Sequence, residues 1–260
     1  MAFSNENTAP YHLHSILTCV RESGKGRYDE GWVKALEAEW DSVEFTKRHA
    51  EVVNLLLLTI QQLQALPERS RDRFMRYVPA WWSAIIQPKV NWADNGRPAV
   101  NVVGQDILDH LESAAEIIAG SLVGSDAVPR SGDLNEISQQ CQDWIAFLQE
   151  IEASEIDGSL KDQLIAQLEH VVWLIEHVDL FGGARVAGEA SRVIGSLAQV
   201  GATMSNAQPE TAGRWKRGWL GLIAVCLAFN AGVPVLQESI GVGGDLVKEI
   251  ASVVQDVQGE

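Results

Sequence analysis

One long stretch of helical periodicity constrains this chain more than any other feature. Between Gly31 and Pro67 no glycine or proline occurs, and apolar residues recur at spacings of three and four. Asp29 stands where an N-cap is expected, so the pattern predicts one helix over about residues 30–66, roughly 50 Å long. The positions predicted to be buried are Trp32, Leu36, Trp40, Val43, Ala50, Val53, Leu57, Ile60 and Leu63.

The rest of the chain predicts further helices with short connections. Prolines number only 8 in 260 residues, which favours helix over sheet. Helices are predicted over about 12–22, from Pro67, from Pro79, and over about 105–122, 133–153, 160–181 and 184–204, with a glycine break at Gly182 and Gly183. The predicted fold is all-α: an elongated multi-helix bundle with a long N-terminal helix and an apolar C-terminal helix.

Charge divides the chain unevenly. Residues 1–100 carry 12 Lys/Arg and 12 Asp/Glu, whereas residues 101–213 carry 4 and 18, a net charge of −14. Because the balance changes just after the loop 88–98, we expect three regions at 1–98, 99–213 and 214–260. Such an acidic middle region repels a phosphate backbone, so no nucleic-acid partner is predicted.

No catalytic, cofactor-binding or metal-ligating residue is predicted. Cys19, Cys141 and Cys226 lie far apart and predict reduced, buried thiols in a cytoplasmic protein. No histidine follows a glutamate at the Glu-x-x-His spacing of a di-iron bundle. An enzyme that acts through the helix face formed by Glu169, His170, Glu176 and His177 is one further hypothesis.

A row of acidic residues lies on the predicted helix 105–122. It comprises Asp106, Asp109, His110, Glu112 and Glu116. Paired carboxylates can perform acid/base catalysis, but this spacing is more typical of a solvated helix face. We therefore expect an exposed surface rather than a site.

The C-terminal region contains 20 uncharged residues, Gly218–Gln237, which as a helix would be about 30 Å long. Basic and tryptophan residues precede it, as at a cytoplasm-anchored span, whereas Asn230 and Pro234 interrupt it. Two interpretations stay open: a helix buried in the core, or a segment that engages the inner membrane. The candidate membrane residues are Trp215, Arg217, Trp219, Leu222, Leu227, Phe229, Asn230 and Pro234.

Two further surfaces are candidate partner contacts. The first is a basic cluster followed by tryptophans, Arg69, Arg71, Arg73, Arg76, Trp81 and Trp82. The second is a semi-apolar helical stripe, His170, Trp173 and His177. Core packing is the default for the tryptophans and for the stripe, and the acidic half of this chain or of a second copy is the simplest partner for the arginines. We expect self-association or a protein partner.

The stretch Ile151–Leu197, about a fifth of the chain, resembles a pattern in uncharacterised bacterial helical proteins. It consists of a helix, a D-G-S-L turn at residues 157–160, a second helix, a glycine break and a third helix. Such proteins often end in a hydrophobic helix, and some lie in anti-phage or other conflict loci. The resemblance implies a defence effector or its partner and transfers no catalytic residue.

The leading functional expectation is therefore a non-enzymatic helical effector or accessory protein whose C-terminal segment engages the membrane. The alternative is a soluble scaffold or adaptor that binds a larger protein, with the apolar helix permanently buried.

Overall fold

The computed structural model describes residues 8–86, 97–121, 134–152, 154–203 and 209–228. Every regular element within these ranges is helical, which confirms the all-α prediction. The helices are α1 (Ala9–Ser23), α2 (Tyr28–Leu36), α3 (Val43–Gln64), α4 (Glu68–Met75), α5 (Val78–Ile86), α6 (Gln105–Ser121), α7 (Leu134–Glu150), α8 (Gly158–Glu176), α9 (Val178–Phe181), α10 (Gly183–Thr203) and α11 (Pro209–Ala228), with one 3-10 turn at Ala99–Asn101.

The chain forms two compact units. Unit 1 comprises Met1–Val128 together with Asp179–Arg185, and unit 2 comprises Pro129–Val178 and Val186–Glu260. The boundaries of these units differ from the predicted ones at 98 and 213: unit 1 continues past residue 98 to Val128, and the chain returns to it at 179–185. Loop composition and charge balance carry no information about such a return.

The predicted single helix over 30–66 is wrong. Residues 37–42 separate α2 from α3, and both Glu37 and Asp41 adopt the left-handed conformation, at φ 49° and 66°. Ser42 then caps α3 by accepting a hydrogen bond from the Phe45 amide at 2.9 Å. Glu37 and Asp41 are neither glycine nor proline, so the usual sign of a break was missing.

This break also shifts the buried face of α3. The predicted core residues Val43 and Leu57 are 86% and 51% exposed, whereas Phe45, Val52, Leu55 and Leu56 are buried. A pattern read continuously through residues 37–42 carries the helical phase of α2 into α3, and the break resets that phase. The predictions for Trp32, Leu36 and Leu63 hold, since all three are fully buried.

Close helix contact in unit 1 depends on Gly31. A Cβ on Gly31 would lie 2.3 Å from the Val20 carbonyl oxygen of α1, so a larger residue cannot be accommodated without moving backbone. The core around this contact contains Leu13, Leu17 and Trp32.

Unit 2 is organised around α7, which packs against both α8 and α11. Asp157 caps α8 by accepting hydrogen bonds from the amides of Ser159 and Leu160, at 2.9 and 3.3 Å. A hydrogen bond from the Ser159 hydroxyl, together with these two from the amides, holds the pKa of Asp157 below its usual range.

The predicted glycine break separates α9 from α10. Gly182 has φ +80°, and a Cβ there would lie 2.3 Å from the His12 ring. Both the backbone conformation and the close approach require glycine at this position.

Candidate functional site

The first candidate region is α11, whose apolar face is buried in unit 2. Trp215, Trp219 and Leu222 are 6%, 3% and 1% exposed, and Ile223 and Cys226 are also buried. Three of the eight predicted membrane-contact residues therefore lie in the core of unit 2. Arg217 is exposed on the same helix. The described part of the structure does not extend to the side chain of Leu227, or to Phe229, Asn230 and Pro234.

Two tryptophans interlock α11 with its neighbours. The Trp215 ring meets the Trp144 ring of α7 edge to face, with centroids 5.0 Å apart. The Trp219 indole nitrogen donates to the Ile194 carbonyl of α10 at 3.2 Å. Buried tryptophans need such a partner for the indole N–H, so Trp219 is positioned as a core residue.

Glycines allow this close packing. A Cβ on Gly218 would lie 3.0 Å from Trp144, and one on Gly201 of α10 would lie 2.6 Å from the Trp215 indole nitrogen. Gly218 of α11 and Gly201 of α10 thus have a packing role. None of the described helices combines the length and apolarity needed to cross a membrane.

In the N-terminal half of α11, one basic residue is paired within unit 2. The Arg214 guanidinium lies 2.7 Å from the Glu150 carboxylate and 4.5 Å from the centre of the Phe147 ring. Arg214 therefore connects α11 to α7.

The second candidate region is the stripe on α8, which the structure brings together as a ring stack. Trp173 stacks on His177 at 4.3 Å between centroids and on His170 at 5.8 Å. His177 Nδ1 lies 2.8 Å from the Trp173 carbonyl oxygen. All three side chains are partly exposed, while Leu164, Leu168, Val171 and Leu174 face the core. Core packing, the default expectation for this stripe, is therefore not observed for these three side chains.

The third candidate region is the basic surface of α4 and α5. Arg69, Arg73 and Arg76 are exposed, while Arg71 pairs with Asp72 at 3.1 Å and with Glu68 at 3.9 Å. The two tryptophans differ in burial: Trp81 is fully buried, whereas Trp82 is 40% exposed. Trp81 donates to the Ile107 carbonyl at 3.3 Å. Of these two tryptophans, only Trp82 is accessible to a partner.

The acidic row of α6 is a solvated face, as expected. Asp106, Asp109, Glu112 and Glu116 are all exposed. His110 differs because its ring stacks on Tyr77, with centroids 3.5 Å apart.

Sequence reasoning missed a buried ion pair in unit 1. Arg185 and Glu51 meet at 2.6 Å, with side chains only 7% and 5% exposed. Asn54 donates to the other Glu51 oxygen at 3.1 Å. A glutamate within an otherwise apolar helical face was the available signal, but nothing in the sequence identified a partner 134 residues away.

Burial disfavours the charged forms of three titratable side chains, His49, Cys141 and Cys226. Burial lowers the pKa of His49, whose Nε2 lies 3.2 Å from the Ile85 carbonyl oxygen. Burial raises the pKa of the Cys141 and Cys226 thiols to about 12 each, and the proximity of Cys141 adds to the shift of Cys226. Neither thiol is a thiolate nucleophile at neutral pH.

Within the described ranges, no group of three or more His, Cys, Asp or Glu side chains is arranged to hold a metal ion. No family model, curated protein or solved structure matches this chain.

Proposed function

We propose that the chain is a helical scaffold or adaptor that binds a protein partner, and that α11 is a core element of unit 2. The observation that carries this proposal is the burial of Trp215, Trp219 and Leu222 against α7 and α10. It supports the buried-helix interpretation of the apolar segment over the membrane one.

An energetic argument separates these two interpretations. Membrane insertion of α11 requires five buried side chains to leave unit 2, each contributing about 1.5–3 kcal/mol to folding. The total, on the order of 10 kcal/mol, is comparable to the whole stability of a typical domain. An inserting α11 would therefore leave unit 2 unfolded, whereas a scaffold keeps it folded while it acts.

The His170, Trp173 and His177 stack on α8 supports a binding role. It combines a large aromatic surface with partial exposure, the composition that dominates binding energy in protein interfaces. Glu169 and Glu176 flank the stack and are exposed. This surface fits a partner that offers an apolar or aromatic residue within a basic rim.

The proposal is tested by comparing two aspartate substitutions on α11. The two positions are two residues apart and so lie on different sides of the helix. Leu222→Asp places a carboxylate at a position 1% exposed, so unit 2 should lose several kcal/mol and its unfolding transition should disappear. Leu220→Asp is the matched control because Leu220 is partly exposed, and its transition should shift only slightly. Thermal unfolding followed by tryptophan fluorescence measures both.

A vesicle flotation assay on the same proteins tests the effector alternative. Intact chain should stay with the soluble fraction in the presence of anionic vesicles. If it floats with the vesicles, and Leu222→Asp abolishes flotation without loss of the unfolding transition, α11 is a membrane element and the scaffold proposal is wrong.

A further inference from the structure

Two exposed stripes of opposite charge in unit 1 have matching geometry. Arg69, Arg73 and Arg76 follow one another at steps of four and three residues along α4 and its C-cap. On α6 the carboxylates Glu116, Glu112 and Asp109, taken towards the N-terminus, follow the same steps of four and three. Each set occupies one side of its helix over roughly 10 Å.

Neither stripe forms an ion pair with another described residue of the same copy. Across the described residues, no ion pair engages any of these six side chains, although Arg71 beside them is paired. Arg73 lies 5.7 Å from the centre of the Phe74 ring, and Asp109 accepts a hydrogen bond from Gln105 at 2.9 Å. Both contacts leave the charged groups at the surface.

We propose that the arginine stripe of α4 docks antiparallel on the carboxylate stripe of α6 in a second copy of this chain. In this arrangement Arg69 faces Glu116, Arg73 faces Glu112 and Arg76 faces Asp109 of the other copy. Tyr77, next to Arg76, stacks on His110, next to Asp109, so the two stripes end side by side in one copy. A two-fold symmetric contact then forms the ladder twice, which closes the assembly as a dimer.

Charge complementarity favours this occupant over an unrelated acidic protein, since the chain itself carries the complementary spacing. Exposed ion pairs are individually weak, so the dimer is expected to be reversible. The net charge of −15 per copy opposes association, and the ladder supplies the local attraction and the orientation. This inference goes beyond the scaffold proposal and does not depend on the partner that α8 binds.

Charge exchange in the full chain tests the ladder by sedimentation velocity. One variant carries Arg69→Glu, Arg73→Glu and Arg76→Glu, and the other carries Asp109→Arg, Glu112→Arg and Glu116→Arg. Each variant alone should associate about ten-fold or more weakly than the wild type. An equimolar mixture should recover the dimer, because acidic α4 then meets basic α6 and basic α4 meets acidic α6.

A matched control separates the ladder from net charge. Lys25→Glu, Lys34→Glu and Arg217→Glu make the same change in net charge as the triple arginine variant, at exposed positions elsewhere, and this variant should still dimerise. The ladder is overturned if the wild type is monomeric at all concentrations, if either stripe variant dimerises like the wild type, or if the mixture remains monomeric. None of these results bears on whether Leu222→Asp loses its unfolding transition. Each of the two proposals can therefore fail without the other.

Discussion

Unit 1 and unit 2 are both helical, but in each unit a different kind of contact joins a late segment of the chain to the rest. In unit 1 the returning segment 179–185 is joined to α3 by a buried ion pair between Arg185 and Glu51. In unit 2 the last described helix is joined to α7 and α10 by tryptophan rings that fit against glycines. The ion pair in unit 1 depends on the charge of one specific partner. The tryptophan contact in unit 2 depends instead on shape, because the rings fit only where glycine leaves space.

The largest effect should come from removing one charge of the buried pair. Arg185→Met removes the guanidinium that meets the buried Glu51 carboxylate, and unit 1 should lose about 3–5 kcal/mol. Arg214→Met is the matched control, because Arg214 and Glu150 meet at a similar 2.7 Å at the surface. Its cost should stay below about 1 kcal/mol. Urea unfolding measures both, and equal losses would contradict the special role of the buried pair.

A smaller effect should follow from adding one methyl group where a tryptophan fits. Gly201→Ala places a Cβ against the Trp215 ring, which Trp144 confines, so unit 2 should lose about 1–3 kcal/mol. Gly188→Ala on the same helix meets no atom within 4 Å and should stabilise by about 0.5–1 kcal/mol. Opposite shifts in melting temperature would support the shape requirement, and two stabilising shifts would refute it.

Unit 1 should show a pH effect at His49, which is partly buried between Trp32 and Phe45. Burial lowers its pKa in the folded state, so the unfolded chain binds the proton more readily. Stability should therefore be complete above a pH of about 6.5 and fall as the pH decreases towards the folded pKa. Urea unfolding at several pH values should show this dependence, and His49→Phe should flatten it between pH 6.5 and 5.

The smallest effect on stability is expected on the outer face of α8. Trp173→Ala removes a partly exposed ring and should cost below about 1 kcal/mol, yet it should abolish binding to a partner that docks on the stack. Leu160→Ala on the same helix is the control, since Leu160 is 39% exposed but lies outside the stripe. Proximity labelling in cells with both variants compares them, and equal labelling would exclude the stack as the docking surface.

Local signals in the sequence predicted much of the helical layout. Asp157 and Gly182 mark the helix boundaries that the structure has, because capping and left-handed backbone depend on a few neighbouring residues. Ser42 was a similar signal in the middle of the supposed long helix, and as an N-cap it would have located the start of α3.

The candidate surfaces were only partly predictable. The spacing of His170, Trp173 and His177 placed them on one stripe, but whether a neighbouring helix covers that stripe depends on tertiary packing. Trp81 and Trp82 show the same limit, since adjacent residues of one type differ completely in burial. The partnership of Glu51 with Arg185 joins distant segments, and no local pattern encodes it.

The return of residues 179–185 to unit 1 has a consequence for the order of events during synthesis. As the chain leaves the ribosome, Glu51 emerges long before Arg185, and residues 129–178 of unit 2 are made in between. Until Arg185 arrives, the Glu51 carboxylate lacks the guanidinium that it meets at 2.6 Å in the folded unit, so this part of the core of unit 1 is not complete. Unit 1 comes first in the sequence but cannot finish folding before much of unit 2 exists, and a ribosome stalled before residue 185 would hold an unfinished N-terminal unit.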